Sequence, residues 1–140
     1  MSRYNRQIKL TEVGLEGQEK LRNAKVLLVG VGGLGCPAAM FLAGAGVGKM
    51  GLMDHDKVDM SNLHRQVLFQ ESDVGKSKGV VAKERLEKQN SEVQFEVYEE
   101  PLTIENAKSI IQQYDVVLDG TDNFETKYLI NDACILADKP

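Results

Sequence analysis

A chain of 140 residues that is 42% hydrophobic has room for one α/β domain with its own core. Its 17 Lys and Arg against 21 Asp and Glu give a net charge of −4, which excludes a broad basic surface of the kind that holds nucleic acid or an anionic membrane. Two isolated cysteines, no secretory-leader pattern and no apolar run near the ~20 residues of a membrane helix imply a reducing, cytoplasmic setting.

Residues 2–23 carry Ile8, Leu10, Val13, Leu15 and Leu21 among charges, the pattern of short helical pieces laid against a core. We take 1–24 as a helical lead-in and 25–140 as the main domain. The run at 25–29, Lys-Val-Leu-Leu-Val, suits a central strand buried on both faces. Glycines at 30, 32, 33 and 35 follow, then a helix over 36–43 with Pro37 in its first turn, stopped by Gly44, Gly46 and Gly48. A second strand over 49–53 ends at Asp54 and completes a βαβ unit. Residues 56–75 are polar and irregular, and a loop of that length is functional or disordered. A helix is predicted over 76–89, and Val93, Phe95 and Val97 alternate as in a strand near a sheet edge. Thr103 caps a helix through 113, a buried strand covers 114–119, and a helix spans 124–136. The sum is a Rossmann-like, doubly wound, mainly parallel sheet with helices on both faces. The alternation calls for a further strand after 140, so the chain reads as a domain lacking its C-terminal half, or as one whose free edge a partner completes.

A GxGxxG between a strand and a helix lets backbone N–H groups and the helix N-terminus approach a phosphate. Gly30, Gly32, Gly33 and Gly35 meet that pattern, and Asp54 is placed to accept from ribose hydroxyls. The constellation indicates a nucleotide without choosing between ATP and NAD. Asn62, His64, Arg65 and Gln66 cluster in the long loop, and Lys78 follows the Gly75 turn. Arg65 offers a planar fork and Lys78 a mobile point charge, donors suited to a triphosphate, though an exposed arginine is equally read as a solvated charge. Asp119-Gly-Thr-Asp-Asn123 follows a strand at its carboxyl end, where Asp122 is a candidate Mg²⁺ ligand and Thr121 to Asn123 also read as a helix cap. Asp56 and Asp59 read first as solvated loop acids and second as groups that assist near Asp54, and His55 and His64 read as surface or packing residues. Cys36, near a helix start, reads first as a packed thiol and second as one of lowered pKa. Cys134 reads as core, and the apolar run at 67–69 as exposed surface prone to association.

Six segments occur together in order: RYNRQ at 3–7, GVGGLG at 30–35, DHD at 54–56, SNLHRQ at 61–66, VGKSK at 74–78 and DGTDN at 119–123. Together they closely resemble the ThiF/MoeB/HesA, or E1-like, adenylyltransferase superfamily. The resemblance implies ATP-dependent activation of the C-terminal carboxylate of a ubiquitin-like sulfur-carrier protein, in a pathway such as molybdopterin or thiamin biosynthesis. It also implies that Ser61, Asn62, Leu63, His64, Arg65 and Lys78 surround the phosphates, that Asp122 holds Mg²⁺ with Asn123 beside it, and that Arg6 acts in trans across a homodimer. The paired CxxC zinc motifs common in the family are missing from the sequence, so no zinc site is expected in this chain. An NAD-dependent oxidoreductase and a catalytically silent E1-like scaffold are the competing readings.

Overall fold

The computed structural model describes residues 3–140. The lead-in forms α1 (Asn5–Ile8) and α2 (Gly14–Asn23). It is tied to the domain by Tyr4, 4% exposed, whose hydroxyl accepts from Asn90 Nδ2 at 2.8 Å. Gln7 and Gln18 both donate to the Ala45 carbonyl, at 2.8 and 3.1 Å. That carbonyl lies at the C-terminus of α3 (Gly35–Ala45), where the last carbonyls of any helix lack intrahelical partners.

The alternation within β1 (Lys25–Val29) explains why both its faces are covered. Val26 and Leu28 enter one apolar cluster, Leu27 and Val29 the other. With β2 (Lys49–Met53), β3 (Gln94–Tyr98) and β4 (Val116–Asp119), β1 makes a parallel sheet in the order β3-β2-β1-β4. Helices α3 and α4 (Lys78–Gln89) pack on one face through Ala39, Ala43, Val81 and Leu86. Helices α5 (Ile104–Ile111) and α6 (Phe124–Ala137) pack on the other through Ala107, Ile111, Ile130 and Ala133. Each large aliphatic side chain so buried contributes about 1.5–3 kcal/mol. No helix among the described residues is long and apolar enough to cross a membrane.

Several expectations need correction. The segment 114–119 is not a buried strand: pairing begins at Val116, and Val116, Val117 and Leu118 are half-buried because β4 is an edge of the sheet. Beside that edge, Val117 N–H donates to the Pro140 carbonyl at 3.0 Å. The fourth helix starts at Lys78, two residues later than predicted, because the Ser77 side chain accepts from Val80 N–H and acts as its cap. Leu68 and Phe69 are core residues, leaving only Val67 of that run exposed.

The long loop is ordered by its own polar contacts. Asp73, 6% exposed, accepts from Gln70 N–H at 2.9 Å and pairs with Arg85 of α4 at 2.5 Å. Burial pushes the Asp73 carboxyl up, but the Gln70 amide and the Arg85 guanidinium outweigh it and hold the pKa below the usual carboxylate value. The folded state therefore binds this proton less readily than the unfolded chain does. The stabilisation is complete above the unfolded pKa of about 4 and is lost as pH falls through the lower folded value. Thermal unfolding of Asp73→Asn against the parent is expected to give a deficit of about 1–3 kcal/mol at neutral pH, shrinking steadily below about pH 4.

Candidate functional site

The sheet order reverses between β1 and β4, and a cleft of about 460 Å³ opens there at the carboxyl ends of the strands. Its size suits a small-molecule ligand. The predicted glycines form one wall. Gly30 has φ +91°, and a Cβ on it would lie 2.8 Å from the Gly120 carbonyl. A Cβ on Gly120 would lie 2.5 Å from the Gly30 oxygen, so the loops after β1 and β4 meet backbone to backbone. Gly35 closes the loop onto α3, since a side chain there would overlap the Gly30 carbonyl. A Cβ on Gly33 would stand 3.4 Å from Arg65 Cγ and Cδ, so the arginine stem lies along this glycine.

Asp54, at the end of β2, is buried and tied to both neighbouring loops. One carboxylate oxygen accepts from Val31 N–H at 2.8 Å and the other from Asp56 N–H at 2.9 Å. Each oxygen keeps acceptor capacity for a hydroxyl in the cleft. Lys78 is the first residue of α4 and only 5% exposed. Cations are disfavoured at helix N-termini, so local helix stability does not account for it. Its Nζ lies 3.3 Å from Asp56 Oδ2.

On the β4 side, burial pushes the Asp119 carboxyl up, but the Thr121 hydroxyl at 2.6 Å and the Lys127 ammonium at 2.9 Å outweigh it and lower its pKa. Asp119 is thus engaged, whereas Asp122 lines the cleft with no such contact among the described residues. Asn123 caps α6 by accepting from Thr126 N–H at 2.9 Å. The N-termini of α3, α4 and α6 all open onto the cleft through Leu34, Lys78 and Asn123. Such termini favour anions.

The structure therefore brings together Gly30, Gly32, Gly33, Asp54, Arg65, Lys78, Asp122 and Asn123. It leaves Ser61, Asn62, Leu63 and His64 outside the cleft wall. Ser61 is held by Asp59, Leu63 packs on the core, and exposed His64 lies 3.5 Å from Arg65. Arg6 is exposed at the opposite end of α3, next to the residue that bonds Ala45. The 11 residues of α3 separate it from the cleft of its own chain by roughly 16 Å.

Sequence reading underrated five residues. Gly120 looks like any turn glycine until its approach to Gly30 is seen. Pro101 and Leu102 line the cleft from the loop after β3. Gln66, 4% exposed, sets its amide nitrogen 3.6 Å from a Cβ built on Gly32 and leaves its buried amide oxygen without a hydrogen bond. A lone uncharged residue in a polar loop carries little signal. Asp56 is not merely a solvated acid, since it contacts both Asp54 and Lys78. Cys36 is buried, and that burial raises its thiol pKa, which overturns the lowered-pKa alternative.

Among the described residues no three His, Cys, Asp or Glu side chains gather as a metal cluster. The cleft holds Asp54, Asp56 and Asp122 against Arg65 and Lys78, a formal balance of 2 − 3 = −1. Three helix termini at about +0.5 each bring it near neutral.

Comparison with known proteins agrees with this geometry. The chain is 52% identical over 140 residues to the Adenylyltransferase and sulfurtransferase MOCS3 of Anopheles gambiae, covering 100% of this chain and 32% of that protein. It is 51% identical over 140 residues to the Sulfur carrier protein adenylyltransferase of Thermus thermophilus, covering all of this chain and 52% of that protein. The chain thus spans about a third of the first relative and about half of the second. The tRNA N6-threonylcarbamoyladenosine dehydratase TcdA of E. coli, solved in complex with ATP, superposes with a TM-score of 0.93 at 29% identity, over 99% of this chain and 56% of that one. The ThiF family profile matches residues 4–140, and the chain belongs to the ThiF family.

Proposed function

We propose that the full-length protein uses ATP to activate the C-terminal carboxylate of a ubiquitin-like sulfur-carrier protein as an acyl-adenylate, releasing pyrophosphate. The observation that carries this is the buried Lys78 ammonium in one cleft with Arg65, Asp54 and Asp122 at the switch point of the sheet. Identity above 50% to a sulfur carrier protein adenylyltransferase supports the choice of acceptor. A nicotinamide dinucleotide would leave Lys78 and Asp122 without a shared purpose, and a silent scaffold would not need them.

In the reaction an oxygen of the carrier carboxylate attacks the α-phosphorus of ATP. The new P–O bond forms as the bond to the β-phosphate bridging oxygen breaks, and that oxygen leaves with the electron pair on pyrophosphate. No enzyme nucleophile and no net proton transfer are required, in keeping with the buried Cys36. The glycine loop and the helix termini face the phosphates, Asp54 accepts from the ribose, and Arg65 and Lys78 stabilise charge on the phosphate oxygens.

Asp122 fits as the carboxylate for Mg²⁺, because Mg²⁺ is held by one or two carboxylates together with substrate phosphates. Bound there, the ion would neutralise charge on the transferring phosphates. A single free carboxylate suits an ion that arrives with the nucleotide. The near-neutral cleft also falls short of a triphosphate carrying about four negative charges, which supports a further cation from outside the chain. Arg6 of a second subunit would supply it in a homodimer. Residues 25–140 then act as the ATP-binding unit and 1–24 as the arm that presents Arg6. Both cysteines being free and buried accords with a cytoplasmic setting.

The test is carrier-dependent ATP–pyrophosphate exchange by the full-length protein, with carriers ending in glycine and with the same carriers truncated by one residue. Exchange with the intact carrier only is expected; exchange indifferent to the tail, or NAD binding that competes with ATP, would overturn the reading. Mixing inactive Arg6→Ala with inactive Lys78→Ala should restore roughly a quarter of the active sites after random re-pairing. No recovery would argue against action in trans.

A further inference from the structure

Asp56 is tied into the cleft at three points. Its N–H donates to the Asp54 carboxylate at 2.9 Å, its C=O accepts from Lys78 N–H at 3.0 Å, and its own carboxylate meets Lys78 Nζ at 3.3 Å. One residue thus connects the group proposed for the ribose with the group proposed for the phosphates. The two ends of the ion pair differ sharply in surroundings. The Lys78 side chain is 7% exposed, that of Asp56 59%. An ammonium at that depth needs a counter-charge. A carboxylate so exposed stays hydrated and holds its partner weakly. The other titratable groups beside Asp56 are Asp54, to which its N–H donates, and His55, in the same exposed setting 3.6 Å away.

We propose that Asp56 is a positioning residue for the adenylation step, holding the Lys78 ammonium in line and sharing it with the triphosphate when the nucleotide enters. This rests on the ATP-activating function proposed above. The asymmetry of exposure is what makes the sharing easy. The phosphates take the ammonium's free N–H donors while the solvated carboxylate keeps its hold on one, and the lysine stem, packed at the start of α4, does not have to be ordered anew. Asp56 is also a negative charge beside the phosphate site, so it opposes ground-state binding of the triphosphate while it improves the aim of Lys78.

That combination sets a signature that a purely structural role lacks. Asp56→Asn keeps the shape, the N–H and the C=O, and removes the charge. In the full-length protein it should tighten inorganic tripolyphosphate and Mg·ATP by about two- to fivefold in calorimetry, while kcat for pyrophosphate exchange falls about tenfold because Lys78 is no longer held in line. Asp56→Glu, which keeps the charge on a longer stem, should recover part of kcat and lose the gain in affinity. The proposal is overturned if Asp56→Asn weakens tripolyphosphate binding, or if kcat is unchanged. If the parent protein takes up neither tripolyphosphate nor ATP, the adenylation reading falls and the role of Asp56 with it. If the parent binds both and exchanges pyrophosphate while Asp56→Asn behaves as the parent, only the assignment of Asp56 is lost.

Discussion

Lys78→Ala is expected to lower carrier-dependent pyrophosphate exchange by about two to three orders of magnitude while leaving the fold as stable as before. The first half follows from position. Lys78 is the deeply buried cation of the cleft, so under the proposed function its charge would act on the phosphates through little water. Arg65 reaches the cleft from the exposed side along Gly33 and does not occupy the same depth. The second half follows from the cost of keeping an ammonium there. It is desolvated and sits against the N-terminus of α4, and its one carboxylate partner is largely exposed, so alanine removes a liability along with the charge. Thermal melts run beside the exchange assay separate the two. A loss of activity with an unchanged or higher Tm is the expected result. A parallel collapse of Tm would mean that Lys78 serves the fold and not the phosphates.

Gly120→Ala is expected to cost both stability and nucleotide binding. The added methyl would meet the Gly30 oxygen at 2.5 Å and the Val29 oxygen at 3.3 Å, both backbone atoms that have no rotamer by which to move aside. Relief requires the loops after β1 and β4 to part, and overpacking of this kind costs about 1–3 kcal/mol. Those loops carry the glycine wall on one side and Asp122 on the other. The same displacement therefore opens the cleft, and misplacement of about 1 Å at such a site can cost a hundredfold in rate. Denaturant unfolding together with ATP titration checks this. Gly75→Ala is the control, because Gly75 has positive φ but nothing within 4 Å of its Cβ position. It should lose some stability through backbone strain and keep its ATP affinity.

Much of the architecture was legible because hydrophobic period and punctuation agreed. The runs at 25–29 and 49–53 ended in glycine or aspartate where the strands end, and the caps at Thr103 and Asn123 bind the amides their spacing demands. Boundaries slipped where tertiary contacts outweigh local preference. Lys76 and Ser77 fall inside the predicted helix but outside the observed one, because Val58 N–H donates to Lys76 C=O at 2.8 Å and Ser77 pairs with Lys57 in an antiparallel bridge. The loop over 56–75 gave no periodic signal, so neither the burial of Leu68 and Phe69 nor the Asp73–Arg85 pair could be read from it.

At the site, most of the charged and glycine positions read from fixed spacing come together in one cleft. Gln66, Asp56 and Gly120 carry little weight in the sequence, because what they do in the structure depends on who stands opposite them in space. The segment 61–64 shows the reverse. Its resemblance to the family is strong, yet in this structure its side chains turn to Asp59, the core and Arg65, outside the cleft wall.

The near balance of charge in the cleft also acts as a filter. With side-chain charges summing to −1 against three helix termini, the pocket offers a lone small anion little net attraction, and under the proposed function occupancy would fall to polyphosphates that bring a cation as escort. Under the proposed adenylation the same balance would give the reaction a direction. Once the bond to the α-phosphorus broke, pyrophosphate would carry most of the negative charge, whereas the acyl-adenylate would retain a single phosphate charge beside the helix termini. The leaving group would then depart with its escort, and the activated ester would stay behind.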